Sequence, residues 1–166
     1  MNNNDIFRRL RYILDYSDSE MIAVFKAVEL DVTRAELSSW LKQEDADDSV
    51  FIEDSTLAQF LNGLITIKRG KREGVSLPPI ETTLNNNDIF RKLKIAFHHQ
   101  ADEILSLMAS VDFIMSKHEL SAFFRKPTHK HYRVCQEQIL RKYLNALQLE
   151  YRHSQPLSQR GDDNSQ

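Results

Sequence analysis

The segment Arg125-Lys126-Pro127-Thr128-His129-Lys130-His131-Tyr132-Arg133 holds the residue types best suited to a chemical task in this chain. Cations at that density suit phosphate contacts, and an aromatic or imidazole ring among them gives a nucleobase a surface to stack on. Arg125, Lys126, Lys130 and Arg133 are therefore candidates for phosphate contact, with Tyr132 and His131 available for stacking. The same composition also describes a solvated basic loop, or one that docks on an acidic surface. Such a surface exists within the chain. The corresponding stretch 83 residues upstream, Gln43-Glu44-Asp45-Ala46-Asp47-Asp48-Ser49-Val50, is acidic.

The second chemical feature is an amide run that occurs twice, Asn2-Asn3-Asn4-Asp5 and Asn85-Asn86-Asn87-Asp88. One Asn or Asp suffices to cap a helix, and Asn4 or Asp5, with Asn87 or Asp88, is suitably placed. The surplus amides are free to hydrogen-bond across an interface between the two copies or to a ligand, so Asn2, Asn3, Asn4, Asn85, Asn86 and Asn87 are candidates for both. Other chemistries find little support. The histidine pairs His98-His99 and His129-x-His131 lack cysteine partners at zinc-finger spacing, so no metal is expected. Cys135 stands opposite Ile52 on an apolar stripe and reads as a buried structural thiol. No phosphate-cradling glycine loop and no nucleophile elbow are present, so neither a cofactor nor an enzyme activity is expected.

These features sit on a duplicated scaffold. Sliding the chain by 83 residues superposes Asn2–Arg8 on Asn85–Arg91 with seven identities in a row, and the register runs without a gap to Arg69 and Arg152. Each copy shows four stripes of helical spacing. Ile6, Leu10, Ile13 and Leu14 open the first copy, matched by Ile89, Leu93, Ala96 and Phe97. Met21, Val24 and Phe25 form the second stripe, Leu37, Trp40 and Leu41 the third, and Leu57, Phe60, Leu61 and Leu64 the fourth. Ser17 with Glu20, Thr33 with Glu36, and Ser116 with Glu119 have capping-box spacing at the starts of helices. The expected fold is all-α: two tandem four-helix repeats, residues 1–69 and 85–153, joined by a Gly/Pro-punctuated linker over 70–84. Residues 154–166 read as a disordered tail. A core within about 70 residues is marginal, so the repeats should pack on each other about a pseudo-twofold axis.

Charge separates the copies. Residues 2–69 hold 8 Lys/Arg against 13 Asp/Glu, or −5, whereas residues 85–153 hold 11 against 7, or +4, together with all six histidines. The halves thus face different partners, or each other. No apolar run reaches the roughly 20 residues of a membrane span. The amino-terminal sequence lacks the pattern of a signal peptide, and the single cysteine fits a reducing cytoplasm.

Asn2-Asn3-Asn4-Asp5-Ile6, Arg69-Gly70-Lys71-Arg72-Glu73-Gly74, Ser116-Lys117-His118-Glu119-Leu120-Ser121-Ala122 and Phe124-Arg125-Lys126-Pro127 together resemble the YehS-like family of uncharacterised bacterial proteins. Tyr132-Arg133 and Gln138-Ile139-Leu140-Arg141 add to the likeness, which extends to about Arg152. The resemblance implies a duplicated domain of unknown function in a bacterial cytoplasm and brings no residue roles. The functional expectation therefore rests on the residues themselves: a small binding protein that contacts nucleic acid, RNA included, through its basic second repeat. The alternative is a protein-interaction or regulatory adaptor, self-associating, with neither nucleic acid nor catalysis.

Overall fold

The structure, a computed structural model, describes residues 1–71 and 73–153. The tail expected from Ser154 onward lies outside the described residues. Among them the chain forms eight helices and no strand. The first copy contributes α1 (Asn3–Leu14), α2 (Asp18–Lys26), α3 (Arg34–Leu41) and α4 (Asp54–Arg69). The second contributes α5 (Asn86–Ala96), α6 (Ala101–Ala109), α7 (Lys117–Ala122) and α8 (Glu137–His153). Two tandem helical repeats are thus the architecture.

Local chemistry explains where these helices start and stop. Ser17, Thr33 and Ser116 cap α2, α3 and α7 in reciprocal boxes with Glu20, Glu36 and Glu119. The caps of α1 and α5 lie earlier than the sequence suggested. Asn2 and Asn85, rather than Asn4/Asp5 and Asn87/Asp88, accept from the N–H of Asp5 and Asp88, whose carboxylates return the bond. Asp5 and Asp88 are therefore the third residues of their helices, which frees Asn4 and Asn87 to point elsewhere. Among the described residues four non-glycine residues take left-handed conformations, and they form two pairs 83 residues apart: Asp15 with His98, and Glu29 with Asp112. The duplicated backbone is therefore retained down to its unusual dihedrals. Helix α7 is shorter than its stripe, because Phe123 and Phe124 donate to Leu120 and Ser121 and tighten the chain into a turn.

Contacts between the copies come in matched sets. The Met1 amine pairs with Glu137, Arg9 donates to the Asn145 side chain, and Arg152 pairs with Asp15 at 3.0 Å. All three lie at nearly the same separation along the chain, so α1 and α8 run parallel. On the other side, the Leu84 N–H donates to Asp54 at 3.1 Å, Lys92 to Asn62 at 2.7 Å, and the Lys68 ammonium lies over the Phe97 ring. Helices α4 and α5 are therefore parallel too. Adding 83 to one partner of each pair and subtracting it from the other turns Asp54–Leu84 into Glu137–Met1, and Asn62–Lys92 into Asn145–Arg9. That exchange is the signature of a pseudo-twofold axis. It places α1, α4, α5 and α8 in a central bundle, with α2 against α4 and α6 against α8 outside it.

The buried side chains of both copies form one connected core, which relieves the size limit on either copy alone. Phe7, Phe25 and Phe60 meet in the first copy, with centroids 5.0–6.1 Å apart. In the second, Tyr143 replaces Phe60 and must satisfy a hydroxyl; it does so with His99 Nδ1 at 2.7 Å. Burial pushes the Tyr143 phenol well above its ordinary range and holds the His99 imidazole below its own. Gly63 lets α2 approach α4 so closely that a Cβ there would stand 2.1 Å from the Val24 carbonyl oxygen.

Candidate nucleic-acid interface

The basic segment forms the connection from α7 to α8, and its shape is set by Asn87. This side chain is only 4% exposed. Its amide donates to the Phe123 carbonyl at 3.0 Å and the Arg133 carbonyl at 2.8 Å, while its oxygen accepts from the Cys135 N–H at 2.8 Å. One buried side chain thus ties down both ends of the segment. Asn86 adds a bond to the Cys135 carbonyl at 3.1 Å. The first copy repeats the device: Asn4 donates to Trp40 and Val50 and accepts from Ile52, while Asn3 reaches Ile52 and Asp54.

The amide runs therefore make their hydrogen bonds inside their own repeat, not across the junction proposed from sequence. Asn2 and Asn85 cap, while Asn3, Asn4, Asn86 and Asn87 hold the α3–α4 and α7–α8 connections. The physical reason is the helix start. With the cap at Asn2 or Asn85, the third Asn faces the repeat's own core, where loop carbonyls need donors. The same frame accordingly carries an acidic loop in one copy and a basic one in the other.

Within the basic loop Lys126, Lys130, His131 and Arg133 are exposed, and Arg125 and Tyr132 are partly covered. Among the described residues no carboxylate lies within salt-bridge distance of Arg125, Lys126, Lys130 or Arg133. The cations that are paired nearby, Lys117 with Asp102 and Arg141 with Glu137, lie outside the loop. The acidic loop behaves differently: Asp48 pairs with Lys42 of its own connection, and Glu44 accepts from Asn2. The two loops do not neutralise each other within the chain.

Folding also brings together histidines that the sequence holds apart. His118, on α7, comes within 6.0 Å of His131 between ring centroids, and His129 lies 5.6 Å from His131. The His131 N–H donates to His129 Nδ1 at 3.0 Å, which leaves Nε2 to carry the proton of a neutral ring. His118 and His129 are thus additions to the candidate set; His129 lies within the loop itself, whereas only the approach of α7 to the loop identifies His118. Among the described residues no group of three or more His, Cys, Asp or Glu is arranged to hold a metal ion. Cys135 is buried, and desolvation raises its thiol to about 12, away from nucleophilic use at neutral pH.

One other basic feature stands away from this loop. Lys68 and Arg69 end α4, whereas the α7–α8 connection leads into the opposite, amino-terminal end of the bundle. Sixteen residues of α4 span about 24 Å, so the linker cations and the loop form no continuous strip. Helix α7, with six residues, is too short to serve as a groove-reading helix.

The family described as Protein of unknown function (DUF1456) matches the chain twice, over residues 3–70 and 86–153. The chain belongs to this family. Each match spans one four-helix repeat, from the capped amide run to the end of the fourth helix. A similar relative is the Uncharacterized protein YehS of Escherichia coli (strain K12), 37% identical over 147 residues covering 89% of this chain and 94% of the relative. No solved structure matches the chain. Among the described residues, no helix is long and apolar enough to cross a membrane.

Proposed function

We propose that the chain is a small cytoplasmic binding protein that contacts nucleic acid, RNA included, through the α7–α8 connection of its second repeat. The observation that carries this reading is a set of cations without carboxylate partners, mounted on a loop whose two ends are tied by Asn87. Arg125, Lys126, Lys130 and Arg133 would meet phosphates, while Tyr132 and the His118–His129–His131 group offer rings for stacking. The basic surface is local, which suits a binder of few phosphates. Titrating labelled RNA over a range of salt tests this. Four neutralised phosphates give a log–log slope of about −3 on a single strand, and reversing Lys126 and Lys130 to Glu should flatten it. Absence of binding at low salt would overturn the reading.

A second reading has its own observation. Asp45 and Asp47 of the first copy are exposed and occupy the register of Thr128 and Lys130 in the second. Two chains could therefore pair the acidic loop of one with the basic loop of the other, twice, about a true twofold axis. Sedimentation at low and high salt separates this self-associating adaptor from a nucleic-acid binder, because an unchanged monomer throughout excludes it.

A further inference from the structure

We propose that the groove beside the basic loop is a socket for an unpaired nucleobase, which makes single-stranded nucleic acid the ligand class of this site. The inference rests on the loop being a phosphate-contacting surface and adds what lies next to the phosphates. A groove of about 420 Å3 opens between the α6–α7 and α7–α8 connections. Its walls carry Ile114, 81% exposed, and Val134, 70% exposed, the two most exposed large hydrophobic side chains among the described residues. Phe113 and the buried Phe123 also line it. Single apolar side chains on a surface are ordinary, but two facing one groove form a surface that water solvates poorly.

The rim supplies the charge. Arg133 lines the same groove, its main chain fixed by Asn87, and has no carboxylate partner among the described residues. Glu119 is the acidic residue of the lining, but its carboxylate is engaged with the Ser116 N–H at the start of α7. A cleft of mixed lining, with apolar side chains on its walls and Gln136 and a guanidinium beside them, fits one nucleotide: the base enters, and its phosphate stays at the rim. A duplex keeps its bases stacked and offers only phosphates and groove edges.

The first copy supports this assignment by contrast. At the register of Ile114 it has Asp31, paired with Lys26 at 2.7 Å, and at that of Arg133 it has Val50. Ile114 and the rim cation thus occur together in one copy and are both replaced in the other, although the first copy keeps an exposed apolar residue, Phe51, at the register of Val134. Scaffold requirements do not explain that, because the two backbones agree down to their left-handed residues.

The test uses the full chain with three polyanions: a fluorescent oligouridylate, a blunt RNA duplex of matched length, and inorganic polyphosphate, which has no bases. The single strand should bind about tenfold more tightly than the other two. Ile114→Ser, at a site exposed enough to leave folding intact, should bring that ratio close to one without changing polyphosphate binding. Equal affinity for all three in the wild type, or an undiminished ratio in I114S, overturns the proposal. So does a salt-independent dimer that I114S abolishes, which would give the groove to a second copy. If no polyanion binds at low salt, the phosphate-surface reading itself fails, and the socket with it.

Discussion

Replacing Asn87 by Ala should cost far more than its place at the edge of a helix start suggests. The substitution removes three hydrogen bonds, to Phe123, Arg133 and Cys135. Two of them are buried, so the Phe123 carbonyl and the Cys135 N–H would be left without a partner at about 1–3 kcal/mol each. The Arg133 carbonyl is only partly buried and can regain water, at about 0.5–1 kcal/mol. The sum is about 2.5–7 kcal/mol, a large share of the roughly 5–15 kcal/mol that stabilises a typical domain. Urea denaturation followed by circular dichroism measures it, with Asn85→Ala as a control that loses only a cap, about 1 kcal/mol. Asn4→Ala should cost somewhat less than Asn87→Ala, because only one of its three bonds, at 3.1, 2.8 and 3.0 Å, is fully buried, the one from the Ile52 N–H. A loss for Asn87→Ala no larger than that of the cap control would refute the account of the loop anchor.

Two further perturbations test the core. Gly63→Ala sets a methyl against the Val24 backbone rather than a movable side chain, so α2 must shift; a loss of about 1–3 kcal/mol in a denaturation experiment is expected, and a neutral result would contradict the close approach. His99 is held neutral by burial, so its folded pKa lies below the unfolded value of about 6.5. The unfolded chain then binds the proton first, and stability is full above that pH and declines as pH falls through the window down to the lowered folded value. Stability curves of the wild type and His99→Gln between roughly pH 7 and 5 should diverge accordingly, the variant losing this part of the slope; parallel curves would show that the imidazole does not report the buried site.

Features set by near neighbours were readable from the chain. Capping boxes join residues three apart and apolar stripes repeat every three or four, so the helices, and through them the duplicated architecture, follow from local relations. The Asn runs show where that reading stops. Sequence identified a surplus of amides but assigned the cap two or three residues too late, and a shift of even two positions on a helix turns a side chain by about half a turn. What was expected to meet the other repeat instead faces its own loop.

The duplication, the helices and the contrast between an acidic and a basic loop are therefore determined by the sequence alone. The parallel central bundle, the anchoring of each loop by an Asn 36 to 48 residues away, the meeting of His118 with His131, and the Ile114–Val134 groove are decided only by tertiary structure. The division has one physical cause. Periodicity and capping act within a turn of helix, whereas a site assembled from separate loops depends on the packing that brings their ends together, and no spacing along the chain encodes that distance.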